Sequence, residues 1–165
     1  MSPCLVCNKA KRKVIMEHFR KTRPDMSNLV LVISYSLWDL VSATIEHILG
    51  AIYADPSRSG ALKGKPAEER FMETAQRFDP LLRLSSGLTV FRPLVRYNDQ
   101  DILKVLEKNG LPVTTPACSF KEYRPKRLLA AYYHKMGLHF SHDKVLEFAR
   151  SALQVPDLAF FSEIE

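Results

Sequence analysis

The feature that most constrains the fold is an uninterrupted apolar run, "NLVLVISY" over residues 28–35, which leads directly into "LWDLVSATIEHILGAIY" over residues 37–53. The first segment is β-branched and shows no polar alternation, which is typical of a strand that is buried on both faces of a parallel sheet. The second segment places apolar residues at helical spacing. A buried strand followed by a helix predicts an α/β protein with a parallel sheet.

Further elements are predicted before and after this pair. We expect a helix over residues 8–22, with Asn8 as its N-cap, because the residue before Pro24 avoids helical angles. The segment "LTVFRPLV", residues 88–95, predicts a second strand, and "AEERFMETAQRF", residues 67–78, predicts a short helix.

Three more helical segments have clear end signals. Asn98 is the expected N-cap of a helix that ends at Gly110, and Pro125 lies in the first turn of a basic helix that ends before Gly137. Ser141 is the expected cap of a last helix, residues 142–153. We predict one domain over residues 1–155 and a tail over residues 156–165. Two strands make a very small sheet, so we expect it to be completed by a protein partner or by a second copy of the chain.

The formal net charge of +6 and the isoelectric point of about 9.3 weakly favour a polyanionic partner, because Lys and Arg release counterions when they neutralise phosphates. No apolar run reaches the roughly 18 residues that span a bilayer, and the start lacks the apolar core of a signal peptide. We therefore expect no membrane association and a cytoplasmic location, where structural disulfides are disfavoured.

Three cysteines are the candidates for a redox or metal site. Cys4 and Cys7 form a C-x-x-C, and Cys118 lies in a loop with two prolines. A thioredoxin-like redox pair needs a preceding strand, which is not predicted. Zinc needs a fourth ligand, which one of five histidines would supply. A [4Fe–4S] cluster held by three thiolates leaves one iron open. Unrelated cysteines, one of them a small buried hydrophobe, are the remaining interpretation, and spacing alone leaves all four open.

Four segments carry a family resemblance, in order: "CLVCNKAKRK", "LVISYSLWDLVSATIEHIL", "FRPLVRYNDQDILKVLEKNGLPV" and "TPACSFKEYRPKR". The first segment resembles a C-x-x-C followed by a basic helix, and the second resembles a strand followed by a G-H-x-L-D-D turn and a helix. The third segment resembles an R-P-L strand followed by an acidic-capped helix and a G-x-P turn. The fourth resembles a loop that carries a third cysteine, followed by a basic helix. These are features of the N-type ATP pyrophosphatase (PP-loop) proteins that thiolate tRNA at 2-thiocytidine or 2-thiouridine. The resemblance covers about residues 4–135.

The resemblance implies an incomplete, adenine-nucleotide-hydrolase-like (Rossmann-like) three-layer parallel sheet with flanking helices. It implies that ATP adenylates the carbonyl of the target base. It also implies a [4Fe–4S] cluster on Cys4, Cys7 and Cys118 that delivers sulfur to the activated base. It places Lys11 beside the reacting base, where a cation stabilises developing negative charge. Asp39 would orient a base or a metal-bound phosphate. Without the family, Lys11 is a solvated helix lysine and Asp39 complements the helix dipole.

The sequence departs from the family at the ATP site. It contains no S-G-G-x-D-S loop to cradle pyrophosphate, and "RSGALKGK", residues 58–65, has no strand before it. We therefore expect ATP binding only if a partner supplies the PP-loop. In the G-H-x-L-D-D turn, Ser34, Tyr35 and Trp38 replace Gly, His and the first Asp. Trp38 would obstruct a nucleotide or stack on a base.

Basic residues near the cysteines are candidate tRNA contacts, and they are Lys9, Arg12, Lys13, Arg124, Lys126 and Arg127. Tyr123, Tyr132 and Tyr133 either stack on exposed bases or belong to the core. The predicted function is tRNA sulfuration by a sulfurtransferase-type chain that is inactive alone, either as a split subunit or as a diverged or truncated form. The alternative is a non-catalytic RNA- or protein-binding module with a structural zinc or no metal.

Overall fold

The computed structural model describes residues 3–53, 74–113, 118–120 and 125–153, and this part of the chain mixes helices with a small sheet. Its elements are, in order, α1 (Pro3–Thr22), β1 (Val30–Val32), α2 (Leu37–Tyr53), a 3₁₀ turn (Gln76–Phe78), β2 (Leu81–Arg83), β3 (Thr89–Phe91), α3 (Asp99–Lys108), α4 (Pro125–Lys135) and α5 (His142–Leu153). The predicted α/β content is confirmed.

The three strands form one sheet in the order β1-β3-β2. β1 runs parallel to β3, with Val32 opposite Phe91, as expected for the two predicted strand segments. β2 runs antiparallel to β3, with Leu81 opposite Phe91. In the described residues the sheet is therefore mixed, and the prediction of an all-parallel sheet is wrong because the short strand β2 joins β3 as a hairpin.

The hairpin turn between β2 and β3 depends on Gly87. The Leu84 N–H donates to the Leu88 carbonyl at 2.9 Å, and Gly87 adopts a φ of 84°. A side chain is strained at this positive φ. A Cβ added there would also lie 3.0 Å from the backbone Cα of Ser27. The turn therefore packs closely against the connection between α1 and β1.

One face of the sheet is buried and the other is open. Leu82 and Val90 belong to the core, whereas Val30 and Val32 on β1 are 54% and 61% exposed. The prediction that this strand is buried on both faces is wrong for the described residues. Within the described residues β1 is an edge strand, and Val30 and Val32 lie on the open face of the sheet.

α2 is the central element of the core. All side chains from Ser36 to Thr44 are buried, and the helix packs against α4 and α5. A first cluster joins α2 to the sheet through Leu37, Leu40, Phe78, Leu82, Val90, Val95 and Ala149, and a second consists of Trp38, Val41 and Tyr133. Each large apolar side chain contributes roughly 1.5–3 kcal/mol when fully buried, so α2 holds the fold together.

Most predicted element boundaries agree with the structure. α3 ends just before Gly110, which has a φ of 61°, and α5 begins directly after Ser141. α1 begins at Pro3, so the predicted N-cap at Asn8 is wrong, and proline suits a first helical turn. Of the predicted helix over residues 67–78, the part before residue 74 lies outside the described residues, as does the tail.

Candidate functional site

The C-x-x-C lies at the amino end of α1, where Cys4 and Cys7 are one helical turn apart. The Cys7 side chain is half-buried and free, whereas the Cys4 side chain lies outside the described residues. Cys118 is half-buried in a short described segment, residues 118–120. Among the described side chains, no group of three His, Cys, Asp or Glu could hold a metal ion. Because the Cys4 side chain is not among them, the three-cysteine site stays a prediction.

The predicted basic residues of α1 are accessible. Lys9, Lys11, Arg12 and Lys13 are all exposed, and Lys13 lies 3.8 Å from the carboxylate of Glu17 one turn later. An ideal helix turns by about 100° per residue. Position 11 therefore lies on the same side of α1 as positions 4 and 7, as the predicted role beside the cluster requires.

A second group of polar residues lies at one edge of the sheet. Because β1 and β3 are parallel, Tyr35 and Arg92 follow the carboxyl ends of neighbouring strands. Because β2 is antiparallel, Arg77 and Asp79 precede its start at this same edge. We call Tyr35, Arg77, Asp79 and Arg92 the carboxyl-edge cluster. Ligands of open α/β sheets bind outside the carboxyl ends of strands.

Hydrogen bonds organise the carboxyl-edge cluster. The buried Arg92 guanidinium donates to the backbone carbonyl of Asp79 at 2.6 Å, and the Asp79 carboxylate accepts the Leu81 N–H at 3.0 Å. The Arg77 guanidinium donates to the Tyr35 hydroxyl at 3.4 Å. Two guanidinium groups thus converge near one phenol, an arrangement that attracts an anion.

Burial shifts two ionisation equilibria in this cluster. Burial raises the pKa of Tyr35, which keeps its hydroxyl protonated at neutral pH. Burial lowers the pKa of Arg92, with a further lowering from Arg77, while Tyr35 and Asp79 act in the opposite direction. A guanidinium keeps its charge at neutral pH despite such a change, because its ordinary pKa lies far above neutral pH.

Asp39 and Lys126, predicted for different roles, form an ion pair. The buried Asp39 carboxylate accepts the backbone N–H of Ser36 at 3.0 Å and the Ser36 hydroxyl at 3.2 Å, while its second oxygen contacts the Lys126 ammonium. A carboxylate that reaches back to the N–H of the residue before the helix forms half of a capping box. Asp39 therefore stabilises the start of α2 and ties it to α4.

Trp38 is not available to stack on a base. Its side chain is buried, and the indole N–H donates to the Oδ1 of Asn98 at 3.0 Å. Tyr133 packs edge-on against it, with ring centroids 5.5 Å apart. Both residues belong to the core, which contradicts their predicted stacking roles. Tyr132 is exposed, and Tyr123 lies outside the described residues.

The remaining predicted RNA contacts have mixed outcomes. The Lys126 side chain is 49% exposed despite its ion pair, and Arg127 is exposed on the first turn of α4. Arg124 lies outside the described residues. Lys126 and Arg127 are therefore accessible to a polyanion.

The structure adds residues that the sequence analysis missed. Arg92 could have been noticed because it directly follows a predicted strand, where site residues gather in α/β folds. Arg77 and Asp79 carried no such signal, because β2 has only three residues and was not predicted. Asn98 was predicted as an N-cap, but its side chain makes no cap bond and instead contacts Trp38 and the backbone of Phe140.

Within the described residues, no helix has the length and apolar character needed to cross a membrane. No protein-family model, curated protein or solved structure matches the chain significantly.

Proposed function

We propose that this chain takes part in tRNA sulfuration together with a partner that binds ATP. The observation that carries the proposal is the placement of positions 4, 7 and 11 on one side of the amino-terminal half of α1. This arrangement puts two candidate cluster ligands and one candidate catalytic cation on a common surface. The order of β1, α2, β3 and α3 along the chain, with β1 parallel to β3, agrees with the family resemblance.

The cysteines fit a [4Fe–4S] cluster by their chemistry. Side chains three positions apart on a helix are neighbours, about 5–6 Å between Cβ atoms, so Cys4 and Cys7 can bind one metal group. Thiolates are soft ligands that suit iron–sulfur clusters, and Cys118 would be the third. When bound to these thiolates, such a cluster would supply the sulfur that is transferred to the base. Zinc is the alternative metal for the same donors.

The proposed reaction is balanced without electron transfer. The carbonyl oxygen of the target base bonds to the α-phosphorus of ATP, and pyrophosphate leaves. Hydrosulfide then bonds to the activated carbon, the carbonyl oxygen leaves with AMP, and the proton of hydrosulfide ends on pyrophosphate. The exposed Lys11 ammonium stabilises the negative charge that develops on the carbonyl oxygen and the phosphate. The partner supplies the bound ATP.

The carboxyl-edge cluster supports a phosphate-binding role in the same reaction. The Arg77 guanidinium contacts the Tyr35 hydroxyl, Arg92 lies at the same edge of the sheet with its guanidinium on the Asp79 carbonyl, and guanidinium groups are cationic at neutral pH. We infer that this edge receives the phosphates of the nucleotide held by the partner. Lys126 is half exposed, so it can leave Asp39 for an RNA phosphate, and Asp39 is then free to orient a base or a metal-bound phosphate.

One observation favours the second candidate, a non-catalytic RNA- or protein-binding module. The Asp39 carboxylate is engaged by Ser36 and Lys126, and the neighbouring Trp38 is a core residue. Both side chains then serve stability alone. In this alternative the cysteines hold a structural zinc or no metal.

Anaerobic purification of the complete chain tests the proposal. We expect a broad absorption band near ~400 nm and about four irons and four sulfides per chain, as for thiolate-bound clusters. Substitution of Cys7 or Cys118 by Ala should abolish the band, and Ser119→Ala, which changes a neighbouring small side chain, should leave it intact. Stoichiometric zinc, or no metal after reconstitution with iron and sulfide, would establish the second candidate instead.

A further inference from the structure

The net charge of the protein comes entirely from its first 23 residues. This segment contains seven Lys or Arg and one acidic residue, Glu17, whereas the other 142 residues contain seventeen basic and seventeen acidic residues. The formal charge of +6 therefore belongs to α1 and the residue that follows it, Arg23. The remainder of the chain is electrically balanced and offers α1 no excess negative charge.

α1 stands apart from the core. Within the described part of the chain, none of its side chains is buried, and all six of its lysines and arginines are exposed. Among the described residues, the strongest helix packings join α2 to α4 and α5, and the described side chains of α1 are at most half-buried, as at Met16 and Phe19. Its basic residues are therefore hydrated and accessible, and their charge is available to an external partner.

Helical geometry divides α1 into two faces. At about 100° per residue, Cys4, Cys7, Lys11 and Ile15 share one side, which we call the cysteine face. The centre of a second side lies about 155° around the helix. We call this side the basic face, and its members are Lys9, Arg12, Lys13 and Arg20. The basic face extends over about 16 Å from Lys9 to Arg20.

The composition of the two faces selects the partner. A helix that lies on a membrane buries a strongly apolar face opposite its cations, whereas the cysteine face also carries Lys11 and His18. The basic face offers a row of exposed cations, and the aromatic side chain at its border, Phe19, is half-buried. Such a row suits the regular charges of a nucleic-acid backbone, to which proteins bind without reading sequence.

We propose that the basic face of α1 binds backbone phosphates of tRNA outside the target nucleotide, while the cysteine face is turned toward the reacting base. This inference rests on the proposed function, since that function supplies tRNA as the polyanion. It also assigns a binding role to Arg20. The sequence analysis did not identify Arg20, because that residue is far from the cysteines along the chain. α1 thereby acts as a spacer that couples tRNA docking to the cluster.

Salt-dependent tRNA binding by the complete chain tests the inference. Replacing Lys9, Arg12, Lys13 and Arg20 by Gln should lower the slope of log K against log [salt] by about 3, since each lost phosphate contact removes about 0.7–0.9. At about 0.1 M salt we expect a loss of affinity of about 100-fold or more. Glutamine is a good helix former, and circular dichroism should show unchanged helix content.

The matched control removes four exposed cations elsewhere, by changing Arg83, Lys104, Lys108 and Lys144 to Gln. The control should retain the wild-type slope. An equal loss of slope in both variants would overturn the inference and leave the proposed function standing. Absence of wild-type tRNA binding at ~50 mM salt, or tighter binding to anionic phosphatidylserine vesicles than to tRNA, would also overturn it. The cluster assay reports on the proposed function independently of all these outcomes.

Discussion

Asn98 is the residue whose removal should damage this fold most, although it is a small polar side chain. It is 2% exposed. Its Oδ1 accepts the Trp38 indole N–H at 3.0 Å and the Phe140 backbone N–H at 2.9 Å, while its Nδ2 donates to the Phe140 carbonyl at 2.8 Å. These bonds connect the start of α2, the start of α3 and the segment that precedes α5.

Asn98→Ala should lower the free energy of unfolding by about 3–5 kcal/mol. The substitution leaves three buried or half-buried polar groups without partners, and each such group costs roughly 1–3 kcal/mol. This is a large share of the roughly 5–15 kcal/mol that stabilises a typical domain. Urea unfolding followed by the fluorescence of Trp38, the single tryptophan, measures the change at the site itself.

Asn109→Ala is the matched control. Asn109 is exposed, and its Nδ2 donates to the carbonyl of Val105 one turn earlier, at 2.7 Å. We expect this change to cost no more than about 0.5–1 kcal/mol, because water replaces the lost bond. A loss below about 1 kcal/mol in Asn98→Ala would refute the view that this side chain satisfies buried groups.

A second variant keeps the argument testable if Asn98→Ala does not fold. Trp38→Phe removes the indole N–H together with the five-membered ring, so it also leaves a cavity in the core, and it should cost about 2–4 kcal/mol, measured by circular dichroism. In a double-mutant cycle the two changes should cost less together than the sum of their separate effects, because the indole N–H is already without a partner in Asn98→Ala. If the costs of the two substitutions were additive, the hydrogen bond between the Trp38 indole and Asn98 would be contradicted.

Three further sets of substitutions test separate parts of the structure. Lys126→Met removes the cation from the buried Asp39 carboxylate. Because Lys126 is half exposed, we expect the free energy of unfolding, measured in urea, to fall by only about 1 kcal/mol. A fall above about 3 kcal/mol would show that the pair is more strongly shielded from water. Burial raises the pKa of Tyr35 above its ordinary value of 10.0, so the folded state holds the phenolic proton more tightly than the unfolded state does. The contribution of Tyr35 to stability should therefore be complete below about pH 10 and fall as the pH rises further, and Tyr35→Phe should reduce this fall above about pH 10; an unchanged fall would exclude Tyr35 as its cause. Gly87→Ala and Gly110→Ala both place a side chain at positive φ, 84° and 61°, at a cost of about 1–2 kcal/mol each. Only at Gly87 does the new Cβ meet backbone, at 3.0 Å, so Gly87→Ala should lose more, and equal losses in thermal unfolding would argue against that close approach.

Element boundaries could be predicted where the signal is local. Pro125, Ser141 and the positive-φ Gly110 act on the backbone next to them, and the helices begin or end where these residues indicate. β3 is shorter than its predicted range because Pro93 lacks a backbone N–H and cannot continue a strand ladder. The start of α1 was missed because Asn8 resembles a cap, whereas Pro3 is equally suited to a first turn.

The candidate site could be predicted only in part, because side-chain partners are distant in sequence. Asp39 and Lys126 were both identified as site residues, but their ion pair joins positions 87 residues apart. Arg77 reaches Tyr35 across 42 positions, and its strand β2 is too short for its period to be recognised. The cluster of cysteines remains a prediction, since the Cys4 side chain is outside the described residues.

The sequence by itself determined most of the helices, the segments that form β1 and β3, and the concentration of positive charge in α1, because propensity, periodicity and charge are properties of neighbouring residues. Only the tertiary structure decided that the sheet is mixed, that Trp38 lies in the core and that Asp39 caps α2 beneath Lys126. Those outcomes depend on which surfaces meet when the chain collapses. Apolar burial is nondirectional, so the sequence pattern shows which side chains are buried without showing which partners they meet.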